Sequence, residues 1–240
     1  MKKTIYIFAL TLCIFGITPI KSHAAEDLNI NTPVIVELFT SQGCSSCPPA
    51  DKILAELAAS NKNIIALGCH VSYWNHLKWK DTLSQEFCDI RQHGIQGIRK
   101  ERKIYTPQMV VNGKYVFIGS NTAKLSFALH SAQESPLLPI TTTEESNLIT
   151  ITLPQAKTGD YRIWGFGYKD KVTTNIGNGE NTGRVIDYTH PVITYSNLGP
   201  WNGTANTLSF ERPEGDIDGI TIFAQSEGYG EIVAAGKLQF

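Results

Sequence analysis

The sequence predicts an α+β chain in two parts, an α/β domain over residues 26–134 and an antiparallel β-sandwich over 138–240. Three observations carry this. Two near-continuous apolar runs flank a helical pattern early in the chain. An Asn-Gly hairpin and a second helical pattern close the first half. Beyond Ser135-Pro136 and Pro139 the helical period vanishes, and short alternating runs take over. With 240 residues, 42% of them hydrophobic and 18% charged, the chain has the composition of a folded protein and not of a disordered, collagen-like or coiled-coil one. Its formal net charge of −1 provides no basic field for nucleic acid or an anionic membrane.

The elements follow in order. Lys2 and Lys3 precede an apolar run, Ile5 to Ile17, and then Ser22-His23-Ala24. This is the layout of a secretory signal peptide cut after Ala24. The run is shorter than the roughly 20 residues that a membrane span needs. The expectation is therefore a periplasmic or secreted chain with no stable membrane insertion. Val34–Thr40 (VIVELFT) reads as a buried strand interrupted by Glu37. Cys47-Pro48-Pro49 opens a helix, because proline is tolerated in a first turn where its missing N–H has no partner anyway. Ile53, Leu54, Leu57 and Ala58 recur at helical spacing up to Asn61, and Asn63–Val71 is a second strand. Residues 72–103 form an insert with Tyr73, Trp74 and Trp79, followed by a short helix over Ser84–His93 that Gly94 stops. Gln108–Val111 and Lys114–Ile118 flank Asn112-Gly113, the preferred type I′ hairpin turn. A helix over Thr122–Gln133 follows, capped by Ser120 or Asn121. Seven short strands then run from Leu148–Leu153 to Glu231–Leu238, separated by turns rich in Gly, Asn, Asp and Pro.

The chemistry concentrates at Cys44-Ser45-Ser46-Cys47. The pair follows a buried strand and opens a helix, where free N–H groups and the helix dipole stabilise a thiolate. Cys44 is expected to be exposed at the helix mouth and to attack a disulfide. Cys47, one turn inside and shielded, closes back on Cys44 and releases the mixed disulfide. Thr106-Pro107 stands immediately before a strand. In a thioredoxin-like fold a cis-proline in this slot faces the dithiol and presents backbone groups to an extended substrate. Glu37 is the one charge in the first strand; a carboxylate beneath the dithiol can move the proton of the second cysteine, and the competing reading is that it faces solvent or pairs locally. Tyr73 and Trp74 either line a peptide groove or pack the insert. His70 either tunes the dithiol or is a hydrogen-bonded structural histidine. In an exported chain Cys69 and Cys88 are expected to form a second, structural disulfide, the alternative being a relay in which Cys69 exchanges with Cys47.

The run Glu37-Leu38-Phe39-Thr40-Ser41-Gln42-Gly43-Cys44-Ser45-Ser46-Cys47-Pro48-Pro49-Ala50-Asp51 resembles the signature of an uncharacterised family of exported bacterial proteins, a domain of unknown function. Further matches are His70-Val71 with Tyr73-Trp74, Trp79-Lys80-Asp81, Tyr105 to Gly113, and Gly179-Glu180-Asn181 with Gly183-Arg184. The resemblance implies a thioredoxin-like fold and export, and supplies no reaction. The expectation is then a thioredoxin-like α/β domain followed by a β-sandwich, working as a thiol–disulfide oxidoreductase. Cys44, Cys47, Pro107 and Glu37 would be catalytic, and Thr106, Pro107, Tyr73 and Trp74 would bind substrate. No cofactor is expected beyond the redox-active Cys44–Cys47 pair, and no resident metal. The partners would be a protein or peptide carrying a thiol or disulfide and a redox partner protein. Two rival readings are a zinc or copper site built from Cys44 and Cys47 with Cys69 or His70, and a binding module with an inert disulfide, in which the glycine-rich loop Gly177–Arg184 serves as a turn or binding loop.

Overall fold

The structure, a computed structural model, describes residues 30–100 and 103–240. The proposed signal peptide lies outside the described residues. No helix among the described residues is long and apolar enough to cross a membrane.

The first sheet contains β1 (Val34–Thr40), β2 (Ile64–His70), β3 (Gln108–Val111) and β4 (Tyr115–Ile118), in the order β2-β1-β3-β4. β1 and β2 are parallel, joined through α1 (Pro48–Ser60); β3 is antiparallel to β1 and β4 to β3. Asn112 and Gly113 take φ of 50° and 68°, as a two-residue I′ turn requires. Strand alternation sorts the side chains by face. Val34, Val36, Leu38, Ile64 and Ala66 meet Leu54 and Leu57 of α1 and Leu125 and Leu129 of α3 (Thr122–Glu134). Asn121 caps α3, its side chain accepting the Lys124 N–H at 3.0 Å.

The opposite face of this sheet is closed by the C-terminal half. Ile35, Ile65 and Leu67 pack with Phe166, Tyr168, Val192 and Phe223. Those residues belong to a five-stranded sheet of β5 (Leu138–Pro139), β8 (Tyr161–Tyr168), β11 (Val192–Trp201), β13 (Gly219–Ser226) and β14 (Ile232–Gln239). Its second face carries Ile163, Ile220 and Ile222 against Ile149 and Ile151 of a three-stranded sheet formed by β6 (Thr141–Glu145), β7 (Leu148–Leu153) and β12 (Asn206–Glu211). A fourth sheet pairs β9 (Lys171–Asn175) with β10 (Val185–Thr189), and β10 packs on α1.

The predicted fold class is corrected by this arrangement. Among the described residues strand makes up 41% and helix 19%, in three helices, so the described structure is mostly β. Its strands are shared among four small mixed or antiparallel sheets, and a thioredoxin-like α/β domain followed by a sandwich is not what the chain shows. The physical reason is that the first sheet has only one face covered by α1 and α3. Its other face takes α2 (Glu86–Ile98) and the five-stranded sheet as a shared core. α2 also differs from the expected Ser84–His93: it runs through Gly94. The Tyr229 ring lies where a side chain at Gly94 would project, so this glycine permits close packing and does not end the helix.

Glu37 and Arg91 sit in this shared core, 0% and 3% exposed. The Arg91 guanidinium donates to both Glu37 oxygens, at 2.5 and 2.8 Å, and to Gln225 Oε1 at 2.9 Å, beside the edge-packed Phe166 and Phe223 rings. One ion pair thereby ties β1, α2 and β13. Arg91→Ala should cost about 3–5 kcal/mol in urea unfolding, because it strands a buried carboxylate, whereas Glu37→Met with Arg91→Met should cost far less. A single-variant loss under 1 kcal/mol would contradict this role.

Candidate functional site

β1 ends at Thr40, and the chain turns through Ser41-Gln42-Gly43 into Cys44–Cys47 before α1. The Cys44 N–H donates to Ser41 O at 3.1 Å and the Cys47 N–H to Cys44 O at 3.2 Å. The cysteines are joined as a disulfide with Cα atoms 5.4 Å apart. Cys47 O accepts the N–H groups of Ala50 and Asp51, at 2.8 and 3.1 Å, so the second cysteine is already part of the helix. Ser46 Oγ lies 3.4 Å from Cys44 Sγ, placed to donate to a thiolate there.

Cys47 is 0% exposed and Cys44 only 2%. The expected exposure of Cys44 at the helix mouth is therefore not found. The covering groups come from two directions. The Trp74 side chain packs at Gly43, and its indole N–H donates to Thr106 Oγ1 at 2.8 Å. From the C-terminal half, Asn181 Nδ2 donates to Gln42 O and Cys44 O, both at 2.9 Å, and Glu180 Oε2 accepts the Ser45 N–H at 3.2 Å. A groove of about 520 Å³ opens beside this cover, between Gly43, the His76–Trp79 segment and Asn178–Glu180.

The Thr106–Pro107 bond is cis, and Pro107 is buried next to Gly119, which also abuts Ala50 of α1. Tyr73 donates its hydroxyl to Gln92 Oε1 at 3.1 Å and is half-buried, as is Trp74. Thr106, Pro107 and Trp74 are thus gathered around the CxxC turn, with Tyr73 one residue behind. Glu37 is not: its side chain leaves β1 on the face away from α1, and Arg91 takes both of its oxygens. Cys69 and Cys88 are bridged, with Cα atoms 5.5 Å apart, and join β2 to α2 on that same far face.

A buried polar cluster lies beneath the turn on the α1 side. Gln42 is its hub, at 0% exposure: its N–H donates to Asp81 Oδ2 at 2.8 Å, and its Oε1 accepts the Trp79 indole N–H at 2.9 Å. Asp81 Oδ2 also meets His70 Nδ1 at 2.8 Å, so with Asp81 ionised that nitrogen carries the proton. Burial alone would raise the Asp81 pKa, but the His70 ring and the N–H groups of Gln42 and Leu83 hold it below the usual carboxylate range. Asp51, one helical turn beyond Cys47, is pushed up to about 7, chiefly by burial, with His70 pulling it back. Burial also raises Tyr188, whose ring meets His70 edge-on at 4.7 Å. Asp51 Oδ2, His70 Nε2 and the Tyr188 hydroxyl have no hydrogen-bond partner. Sequence reasoning gave no role to Asp51, Asp81, Gln42, Asn181 or Tyr188. Asp51 and Asp81 carried a signal, acids at the end of CPPAD and WKD, but only folding reveals that they share a buried cluster with His70. Among the described residues no group of three or more His, Cys, Asp or Glu is arranged to hold a metal ion.

Fold and site together define a mostly β protein with a disulfide-closed CxxC turn, roofed by its own C-terminal half. Residues 35–225 match the family described as "Protein of unknown function (DUF1223)", and the chain belongs to it. A crystal structure of an Agrobacterium tumefaciens protein from a structural genomics programme is similar, with a TM-score of 0.75 and 25% identity over 86% of this chain and 93% of that one. HBP35 of Porphyromonas gingivalis is similar in fold, with a TM-score of 0.61 and 15% identity over 87% of this chain and 75% of that one. No curated protein matches the sequence.

The Asp51 shift sets a pH dependence. Its folded pKa of about 7 lies above the ordinary 3.8, so between these values the folded state holds a proton that the unfolded state has lost. Stability contributed by this group therefore falls as pH rises from 4 to 7, by ~1.4 kcal/mol per unit at most. Asp51→Asn should flatten that slope and leave the variant more stable than the parent at pH 7. Parallel slopes for both proteins in urea titrations would contradict the assignment.

Proposed function

We propose that this protein is an exported thiol–disulfide oxidoreductase that works through Cys44 and Cys47 on protein or peptide thiols and disulfides. The observation that carries the reading is the disulfide closed across the start of α1, with Ser46 Oγ beside Cys44 Sγ and cis-Pro107 close to the first helical turn. In the reducing direction the Cys44 thiolate attacks a substrate disulfide. One S–S bond forms as the other breaks, and a substrate thiolate leaves. Cys47, as thiolate, then attacks Cys44 Sγ, restoring the internal disulfide and releasing the second substrate thiol. The substrate is reduced, the protein is oxidised, and the reverse sequence oxidises a dithiol. Thr106, Pro107 and Trp74 form the substrate edge. Glu37 is left out of the mechanism, since Arg91 neutralises it in the core.

A second reading, a binding module with an inert disulfide, is favoured by the burial of both cysteines, 2% and 0% exposed. Titration of the Cys44–Cys47 pair in a glutathione buffer series separates the two. Reversible equilibration is expected for the oxidoreductase, and no exchange for the module. In cells, Cys47→Ser should accumulate mixed disulfides with partner proteins while Cys44→Ser accumulates none. Trapping by Cys44→Ser, or none by either variant, would overturn the assigned roles.

A further inference from the structure

We infer that the segment Ile176–Arg184 is a gate over the Cys44–Cys47 disulfide, with Asn181 as its latch; this rests on the oxidoreductase reading of the same site. The segment is the loop between β9 and β10. It closes on itself through Ile176 N–H to Arg184 O at 2.9 Å and Gly183 N–H to Ile176 O at 2.8 Å. Gly179 and Gly183 take φ of +82° and +81°, conformations that any other residue resists, so the loop is shaped to turn its 180–181 corner toward the CxxC turn. Gly177 also leaves room for the Trp79 ring, and Gly179 for the Trp79 Cβ and backbone.

The contacts made by that corner are few, specific and directed at backbone. Asn181, 1% exposed, spends its two amide hydrogens on Gln42 O and Cys44 O and leaves its Oδ1 unpaired. Glu180, itself exposed, takes the Ser45 N–H. These three backbone groups border the disulfide, where an incoming polypeptide would make its own main-chain hydrogen bonds. A thiolate must approach a disulfide sulfur to attack it, and neither cysteine is accessible with the loop seated. Trp74 covers the turn from the other side; of the two covers the corner is the one held only by side-chain polar contacts, three of them, and lifting it opens the disulfide to exchange. Little apolar surface holds the loop down: Gly177–Glu180 and Thr182–Arg184 are exposed or half-exposed, while Ile176 and Asn181 are buried. The remainder of β9 and β10 can stay paired while the loop moves.

The test uses the full-length protein in its oxidised form. The rate at which dithiothreitol opens each disulfide is followed by mass spectrometry after alkylation, with Cys69–Cys88 as the internal control. Asn181→Ala removes both amide hydrogen bonds to the CxxC turn, so reduction of Cys44–Cys47 should accelerate about tenfold or more, with Cys69–Cys88 unchanged. Glu180→Gln, at an exposed position that folding tolerates, should accelerate it by a smaller factor. Equal acceleration of both disulfides would mean general loosening and overturn the gate, as would unchanged or slower reduction of Cys44–Cys47 in both variants. If Asn181→Ala accelerates reduction yet Cys47→Ser traps no protein, the gate stands and the oxidoreductase reading falls. If trapping succeeds and neither variant changes the rate, the gate alone falls.

Discussion

The Arg91–Glu37 pair is the constraint from which much of the architecture follows. A carboxylate in the middle of a parallel strand is costly to bury unless it is met by a cation with matching geometry. The planar guanidinium supplies two parallel hydrogen bonds to Glu37 and a third to Gln225, and it lies about 5 Å from the centroids of both Phe166 and Phe223. Because the three partners come from β1, α2 and β13, the position of the helix and the approach of the five-stranded sheet are fixed together. The Cys69–Cys88 bridge binds the same helix to β2 a short distance away. The far face of the first sheet is thus committed to structure, which leaves the α1 face and the strand ends for chemistry.

On that side the polar groups are arranged differently. Gln42 and Asp81 are fully employed, while Asp51, His70 and Tyr188 each keep an atom with no protein partner in a buried cluster. Buried polar atoms without partners are uncommon and mark places where stability has been conceded. Here one of them, Asp51, lies one helical turn from Cys47, so this under-satisfied part of the interior adjoins the CxxC turn.

Much of this was legible in the chain because it rests on local rules. Proline at the helix start, Asn-Gly at the hairpin and the alternation of β7 and β8 each encode their element within a few residues. What stayed hidden depends on distant partners. Gly94 reads as a stop until Tyr229, far along the chain, is seen packed on it. Glu37 reads equally as a proton carrier or as a solvent-facing or locally paired acid, and only Arg91, 54 residues on, decides that it is a buried paired one. β6 and β9, rich in Thr and charge with every second residue exposed, carry too little apolar pattern to announce themselves. The overall class failed for a related reason: the first half looks complete in sequence, but α2 covers only part of its second face and the rest stays uncovered without the C-terminal half.

That uncovered face has a consequence during synthesis. Ile35, Ile65 and Leu67 leave the ribosome long before Phe166, Val192 and Phe223 exist to meet them. The early segment must therefore wait with an apolar, charge-bearing surface open to water until nearly the whole chain has been made. Maturation of this protein is a late and concerted event, and a nascent chain halted midway would need a chaperone to keep it from associating with its neighbours.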